Sequence, residues 1–450
     1  MMKKYYLSAV AFLLLSITPL LAQDVDYSRL DLETCIEIAL ENNLTLQRSQ
    51  ANLGITEANL IENKGQRIPT WNMSGSTGYQ WGRSINPVTN LFEENIRIGN
   101  INFSTSSNLT LFAGQQITNS IQQNKIDIEA ARFNVEATEN TITLNVINFF
   151  INVVFNSEQL KIAQNQLSST KEQLTNTSKL VDAGSLPLAN KLDIQAQNAT
   201  NELEVINATN NLRIAKLNLA QAMQVPFNDS FNVIIPELEA EDYSMADKEV
   251  DEVFESALAL MPEIKSAELG VESAEIGIKI AQGGYFPTIA VGGRGFSNYI
   301  DQPNRLGIVD DIRTQFSNNF SYTGSLSLNI PILSNMRNRA NIQRARLQKR
   351  LSEIQEVETV NQLRQDIESA YTNAYAARQS YQASLIRVSS LEEAFRISQQ
   401  RFDAGAINFA DFQLGQNNFF NAQADLLTAK YTYIFRVKVL DFYLGNPLKL

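Results

Sequence analysis

Residues 180–186 read Leu-Val-Asp-Ala-Gly-Ser-Leu, and residues 401–407 read Arg-Phe-Asp-Ala-Gly-Ala-Ile. The shared Asp-Ala-Gly recurs after 221 residues, from Asp182 to Asp403. Each copy closes a very long helical pattern and opens another. Glycine suits a helix C-terminus because it enters the left-handed conformation without a Cβ clash. It also lets a partner approach closely, and the two readings are compatible.

The patterns before the turns run from about Gly114 to Val181 and from Asn335 to Phe402, with no internal proline. At about 1.5 Å per residue each is about 100 Å long, beyond an ordinary globular helix. Apolar residues step by seven through Val146, Val153, Leu160, Leu167, Leu174 and Val181. The series Ile367, Ala374, Tyr381, Val388, Phe395 and Phe402 does the same, and Ile121, Ile128, Val135, Ile142 and Phe149 form a further line. These are coiled-coil seams. The helices after the turns, about Leu188–Met223 and Phe409–Leu444, are too short to match such partners. Stacked end to end with earlier helices at 44–66 and 262–284, they nearly could.

Those earlier helices belong to a duplicated plan. A short helix from Asp31 to Asn43 precedes helix 44–66, which Pro69 ends, and residues 249–286 repeat the arrangement up to Pro287 at an offset of 218. A repeat of this size means a duplicated unit. The expected organisation is a first repeat at 23–226, a connecting segment at 227–249 and a second repeat at 250–450. The connecting segment holds Pro236 and the acidic residues Glu237, Glu239, Glu241 and Asp242.

After each proline the period changes to two. Trp71, Met73, Gly75, Thr77, Tyr79 and Trp81 share one face against Asn72, Ser74, Ser76 and Gln80. Strands are expected at about 70–81, 101–112, 288–299 and 320–333. The third is the weakest, since Phe296 falls on the polar phase with Arg294. Alternation alone also describes a soluble antiparallel sheet. Two details favour a membrane: the polar face is built of small neutral residues, as a water-filled lumen would be, and Trp71 and Trp81 lie ten residues apart on the apolar face. At ~3.3 Å per residue and a tilt near ~40° they stand roughly 25 Å apart in height, the separation of the two aromatic girdles of an outer-membrane barrel. Segments 82–100 and 300–319 would be extracellular loops. Four strands are too few to close a pore, so several chains must share one barrel.

Composition excludes much else. The chain has no His and one Cys, Cys35, which removes Ser-His-Asp and Cys-His catalysis, His-bound zinc and an intrachain disulfide. No phosphate-binding glycine loop is present, so neither a cofactor nor an enzymatic activity is expected. Lys3-Lys4, an apolar run to Ile17 and a small residue at Ala22 read as a signal peptide over 1–22. Removing Lys3 and Lys4 takes the net charge from −11 to −13, which disfavours nucleic acid as a partner. The mature chain has no apolar run of transmembrane-helix length, so any membrane crossing must use strands.

A signal peptide, a duplicated helix–strand–strand–long helix–turn–helix unit and two Asp-Ala-Gly tips followed by Asn/Gln-rich helices together resemble the TolC-like outer-membrane efflux channels, the outer-membrane factors. The resemblance covers nearly all of the mature chain. It implies a mainly α fold with a transmembrane β part: a homotrimer whose four strands per chain make a twelve-stranded barrel in outer-membrane lipid, above a long α-barrel crossing the periplasm. It implies a periplasmic adaptor protein docking at the tips, here Val181, Ala183, Gly184, Ser185 and Leu186, with Phe402, Ala404, Gly405, Ala406 and Ile407. An inner-membrane transporter would be coupled through that adaptor. Trp71 and Trp81 would mark the membrane girdle.

The same resemblance places acidic residues early in the last helix at the periplasmic mouth. Asp411 matches the first such position, and Leu414 stands where a second is usual. For Asp411 the residues alone favour the plainer reading, a carboxylate stabilised by the helix dipole, over a pore role. The family's Arg–Asp latch would fall on Ile407 and Asn190, so a different gate is implied, with Asn190 able at most to hydrogen-bond. A secreted coiled-coil structural or adhesive protein would explain the heptads but not the four alternating strands.

Overall fold

The computed structural model describes residues 27, 29–85, 90–228, 230–235, 249–301 and 309–446. The expected signal peptide and the acidic residues of the connecting segment lie outside these.

Each half begins with two helices joined by a sharp bend. In the first, α1 (Leu32–Asn42) is capped by Asp31, whose Oδ1 accepts from the Thr34 amide at 2.8 Å, and α2 (Leu44–Gly65) by Asn43, whose Oδ1 accepts from Thr45 at 2.8 Å. Strands β1 (Thr70–Ile85) and β2 (Phe92–Ala113) follow, then the 67-residue α3 (Gln116–Asp182) and the 35-residue α4 (Leu188–Ala222). The second half repeats the order with α5 (Val250–Leu260), α6 (Pro262–Gly283), β3 (Thr288–Ile300), the short α7 (Ile312–Asn318) and β4 (Ser321–Asn329). It ends with α8 (Arg337–Asp403), again 67 residues, and α9 (Phe409–Tyr443), again 35. In α6 Met261 stands where α2 has its Asn43 cap, and Pro262, pre-set in φ, takes the first helical position instead.

The long helices find composite partners, as their length requires. α3 packs against α2 and α6 towards the strands and against α4 towards the tip, while α8 packs against α6 and then α9. The ends of the stacked helices meet. The Leu44 amide, at the start of α2, donates to Oε1 of Gln224 just beyond α4 at 3.3 Å. Phe442, Tyr443 and Leu444, closing α9, pack with Val253, Phe254 and Ile264 of α5 and α6. α6 joins the halves: Gln123 of α3 donates to the Ser273 carbonyl at 3.1 Å, and Ser266 donates to the Ala130 carbonyl at 3.1 Å.

The largest core sits midway along the rod, where α1 covers the long helices. Cys35, Ala39, Val146, Phe150, Val153, Leu219, Met223 and Ile434 are buried together there. The chain before α1 is held to the segment after α4 by a parallel bridge, with the Ile234 amide donating to the Leu30 carbonyl at 2.8 Å. The heptad seams are buried or half-buried throughout, from Ile121 to Val181 and from Ile367 to Phe402. Elsewhere the polar helix surfaces satisfy themselves locally, as where the Thr138, Thr141 and Thr175 hydroxyls donate to carbonyls four residues back.

The four strands form one antiparallel sheet in the order β1-β2-β3-β4, so β1 and β4 each leave an edge without a strand partner. β1 and β2 run past the alternating region, to Ile85 and back to Phe92. Beyond Trp81 charged and apolar residues are mixed without a period of two, and the register shifts between Gly82 and Ser84, so no alternation marks the hairpin. β4 stops at Asn329, short of the expected 333, because Pro331 has no N–H to donate and restricts the residue before it. α7 lies within what reads in sequence as loop. It covers the stretch of β3 that β4 does not reach: Gln315 exchanges two 3.0 Å hydrogen bonds with the Ile300 backbone. No described helix is long and apolar enough to cross a membrane.

Candidate functional site

The residues singled out from the sequence lie at the two ends of the rod. At the strand end, register sorts side chains by face. Trp71 pairs with Ser107, Gly75 with Phe103, Thr77 with Ile101 and Trp81 with Arg97, so the face that carries both tryptophans of β1 continues across β2 through Phe103 and Ile101. It extends to Val291 and Tyr299 on β3 and to Tyr322, Leu326 and Leu328 on β4. Trp71 and Trp81 are 79 % and 71 % exposed, too open for a soluble sheet's core face. The Trp71 indole donates to the Thr105 hydroxyl at 2.7 Å, which fixes that ring against the next strand. The opposite face joins Asn72 to Ser106, Ser74 to Ser104 and Ser76 to Asn102, and the two serine hydroxyls lie 2.8 Å apart. Near the hairpin ends Arg97 pairs with Asp301 at 3.4 Å and lies 4.8 Å from the Tyr79 ring centre, tying the two hairpins together.

At the other end both tips fold alike. Gly184 and Gly405 have φ of +73° and +70°, and no atom outside the turn lies near where a Cβ would stand. The left-handed backbone alone calls for glycine at these two sites. Ser185 N–H donates to the Leu180 carbonyl at 2.8 Å and Gly184 N–H to Val181 at 2.9 Å. Ala406 N–H to Arg401 at 2.7 Å and Gly405 N–H to Phe402 at 2.9 Å repeat the pair, the six-to-one and five-to-two bonds of a Schellman ending. Ala183, Gly184, Ser185, Ala404, Gly405 and Ala406 are exposed, while Val181, Leu186, Phe402 and Ile407 are half-buried. Each tip therefore presents small residues outward over an apolar base.

The two tips pack together through that base. Ile194 of α4 is buried with Phe409 and Phe412 of α9, and Leu174, Phe395, Phe402 and Ile407 close around them. Phe402 stacks on Phe412 with ring centres 4.8 Å apart, and Phe395 lies 5.7 Å from Phe412. Beside the cluster runs an uncharged relay. Gln413 donates to Oε1 of Gln197 at 2.6 Å, Gln197 donates to Oδ1 of Asn201 at 2.9 Å, and Asn201 donates to the Thr170 hydroxyl at 2.7 Å. It crosses from α9 through α4 to α3, and Asn201 and Thr170 are buried.

Asp411 is exposed at the third position of α9, with its backbone N–H capped by Asn408 at 2.8 Å. Asn190 is half-buried in the first turn of α4. Among the described residues no hydrogen bond joins Asn190 to Ile407 or to Asp411. Across the first tip Lys191 lies 3.8 Å from Asp182, a largely solvent-facing pair that contributes little. Gln197, Gln413, Phe409 and Phe412 escaped the sequence reading. Phe402, Phe409, Phe412 and Phe419 recur at seven, three and seven, a spacing that could have flagged the aromatic base.

The sequence pattern described as "Outer membrane efflux protein" matches residues 35–224 and again 253–446. Nodulation protein T of Rhizobium leguminosarum bv. viciae is 21 % identical over 404 residues, covering 90 % of this chain and 79 % of that protein. The outer membrane efflux protein BepC of Brucella suis biovar 1 is 21 % identical over 401 residues, covering 88 % and 81 %. Among solved structures, the Campylobacter jejuni CmeC outer membrane channel superposes with a TM-score of 0.77 at 17 % identity, covering 93 % of this chain and 86 % of that one. The Neisseria gonorrhoeae MtrE outer membrane channel, solved in its open state, gives 0.73 at 19 % identity, covering 93 % and 89 %. With both halves matched over most of their length, the chain belongs to the outer membrane efflux protein family.

Proposed function

We propose that three copies of this chain form a passive exit duct, the outer-membrane component of a tripartite efflux or type I secretion system. The observation that carries this reading is the continuity of a two-faced sheet with 67-residue helices. Its outer face is aromatic and aliphatic, its inner face is small and polar, and both edges are free to pair with copies. Closing the sheet through two further chains satisfies those edges, which lipid demands. The helices below reach across the periplasm.

No reaction is assigned to the chain. The tips bind a periplasmic adaptor through their exposed small residues, and energy comes from the inner-membrane transporter behind it. Three Asp411 carboxylates and three Asn190 amides face the mouth. The test is conductance of detergent-extracted, heat-modifiable trimers in a planar bilayer. Multivalent cations added at the periplasmic side should block it, and Asp411→Ala should relieve the block. A protein that washes from cells without detergent and forms no trimer would return the reading to a secreted coiled-coil structural protein.

A further inference from the structure

On the polar face of the sheet, one residue breaks the pattern. Asn72, Ser74, Ser76, Asn102, Ser104, Ser106, Asn108, Thr323, Ser325 and Ser327 are neutral, whereas Arg294, at the middle of β3, is charged. Its cross-strand neighbours are Ser106 on β2 and Thr323 on β4. The other strand arginines have acidic partners, Arg83 with Glu94 at 3.9 Å and Arg97 with Asp301 at 3.4 Å. Arg294 has none among the described residues, and it is exposed. Its guanidinium instead lies 5.6 Å from the ring centre of Phe296, two residues on along the same face, while Gly292 on the other side adds no side chain. The weak phase of β3 in the sequence therefore comes from two residues that act as a unit, a cation and the aromatic ring that steadies it.

We infer that Arg294 forms a cationic ring in the lumen of the β-barrel, favouring anionic solutes at the cell-surface end of the duct. The inference rests on the trimeric barrel proposed above. A twelve-stranded barrel with ~4.8 Å strand spacing and a tilt of ~40° has a backbone radius of about 12 Å. The Debye length is about 10 Å at 0.1 M salt, so three inward guanidiniums set the potential across the whole section. At about 1 M salt the Debye length falls to about 3 Å and the ring is screened. Rings of charged side chains select ions in this way in other pores. Polyvalent anions, such as phosphorylated or sulfated solutes, would dwell there.

The experiment uses the full-length trimer in planar bilayers, with inositol hexakisphosphate added on the extracellular side. At about 0.1 M KCl the wild type should be blocked, and about 1 M KCl should abolish the block. Arg294→Lys should retain it. Arg294→Gln should weaken it by about tenfold or more with open conductance preserved. In parallel, a membrane-impermeant thiol reagent should label Arg294→Cys and not Val291→Cys, against a background in which Cys35 is buried. Equal block of wild type and Arg294→Gln, or no labelling at 294, would overturn the ring and leave the duct intact. A wild type that does not conduct at all overturns the duct and the ring with it.

Discussion

Gln413 on α9 donates a 2.6 Å hydrogen bond to Gln197 on α4, linking the two tips of one chain without any charge. Removing Gln413 leaves Oε1 of Gln197 part-buried without its donor, although Gln197 keeps its bond to Asn201, at a cost of about 1–3 kcal/mol. In the proposed duct that loss favours separation of the tips. Gln413→Leu should raise the open fraction of single channels about tenfold. Added salt should change this little, because neither partner is ionised. A salt-sensitive wild-type gate would show that a different contact holds the mouth.

The stack of Phe402 on Phe412 predicts a stability effect confined to the tips. Phe412 is 2 % exposed. Phe412→Ala should cost about 3–5 kcal/mol locally. Hydrogen exchange should accelerate in the last turns of α8 and the first of α9, while amides around Cys35 and Val153 keep their protection.

For the tip glycines the expectation follows from φ alone. Gly184→Ala and Gly405→Ala each place a Cβ in the left-handed region, costing about 1–2 kcal/mol. No neighbour obstructs the new methyl, so the chain still folds and the melting temperature falls modestly. Gly405→Asn should be milder, since Asn tolerates that conformation better. A loss of adaptor binding larger than the loss of stability would show that the partner needs the bare backbone.

Burial pushes the Cys35 thiol up to about 12 from an ordinary 9.0. A raised thiol pKa keeps the group protonated through neutral and mildly alkaline pH, where the thiolate is the nucleophile. Iodoacetamide at about pH 8.5 should leave native protein unmodified and label it on unfolding, when the thiol returns to its usual range. Mass spectrometry checks both states. Rapid labelling of the native form would mean that the core under α1 opens readily.

Asp31 tests the same region from the acid side. Its hydrogen bonds with Thr34 hold its carboxyl below the usual 3.8. A depressed carboxylate contributes stability above its unfolded pKa and loses it as pH falls through the folded value. Asp31→Ala should therefore lower the melting temperature at neutral pH, by about 1 kcal/mol of helix capping. As pH falls through that folded value the two proteins should converge.

What could be read from residues alone followed from periodicity. The seams through Val146 and Ile367, the paired turns and the alternating faces of β1 are local patterns, so the long helices and the sheet were legible. The phase of Arg294 and Phe296 was visible too, although its meaning needed the cross-strand register. The contacts between tips were not legible, because Gln197 and Gln413 belong to different halves and glutamine is common on solvated helix faces. The helix Ile312–Asn318 was hidden for a similar reason. It is short and polar, and its Gln315 matters only because β4 ends before covering Ile300.

The open edges of β1 and β4 also bear on how the protein reaches its destination. In hydrocarbon each unpaired backbone group costs several kcal/mol, and β4 alone spans nine residues. In the proposed trimer, a solitary chain is thereby barred from the bilayer, and insertion waits on its copies. Biogenesis then depends on concentration: where chains are lost before they meet, halving the supply cuts the number of finished ducts by more than half.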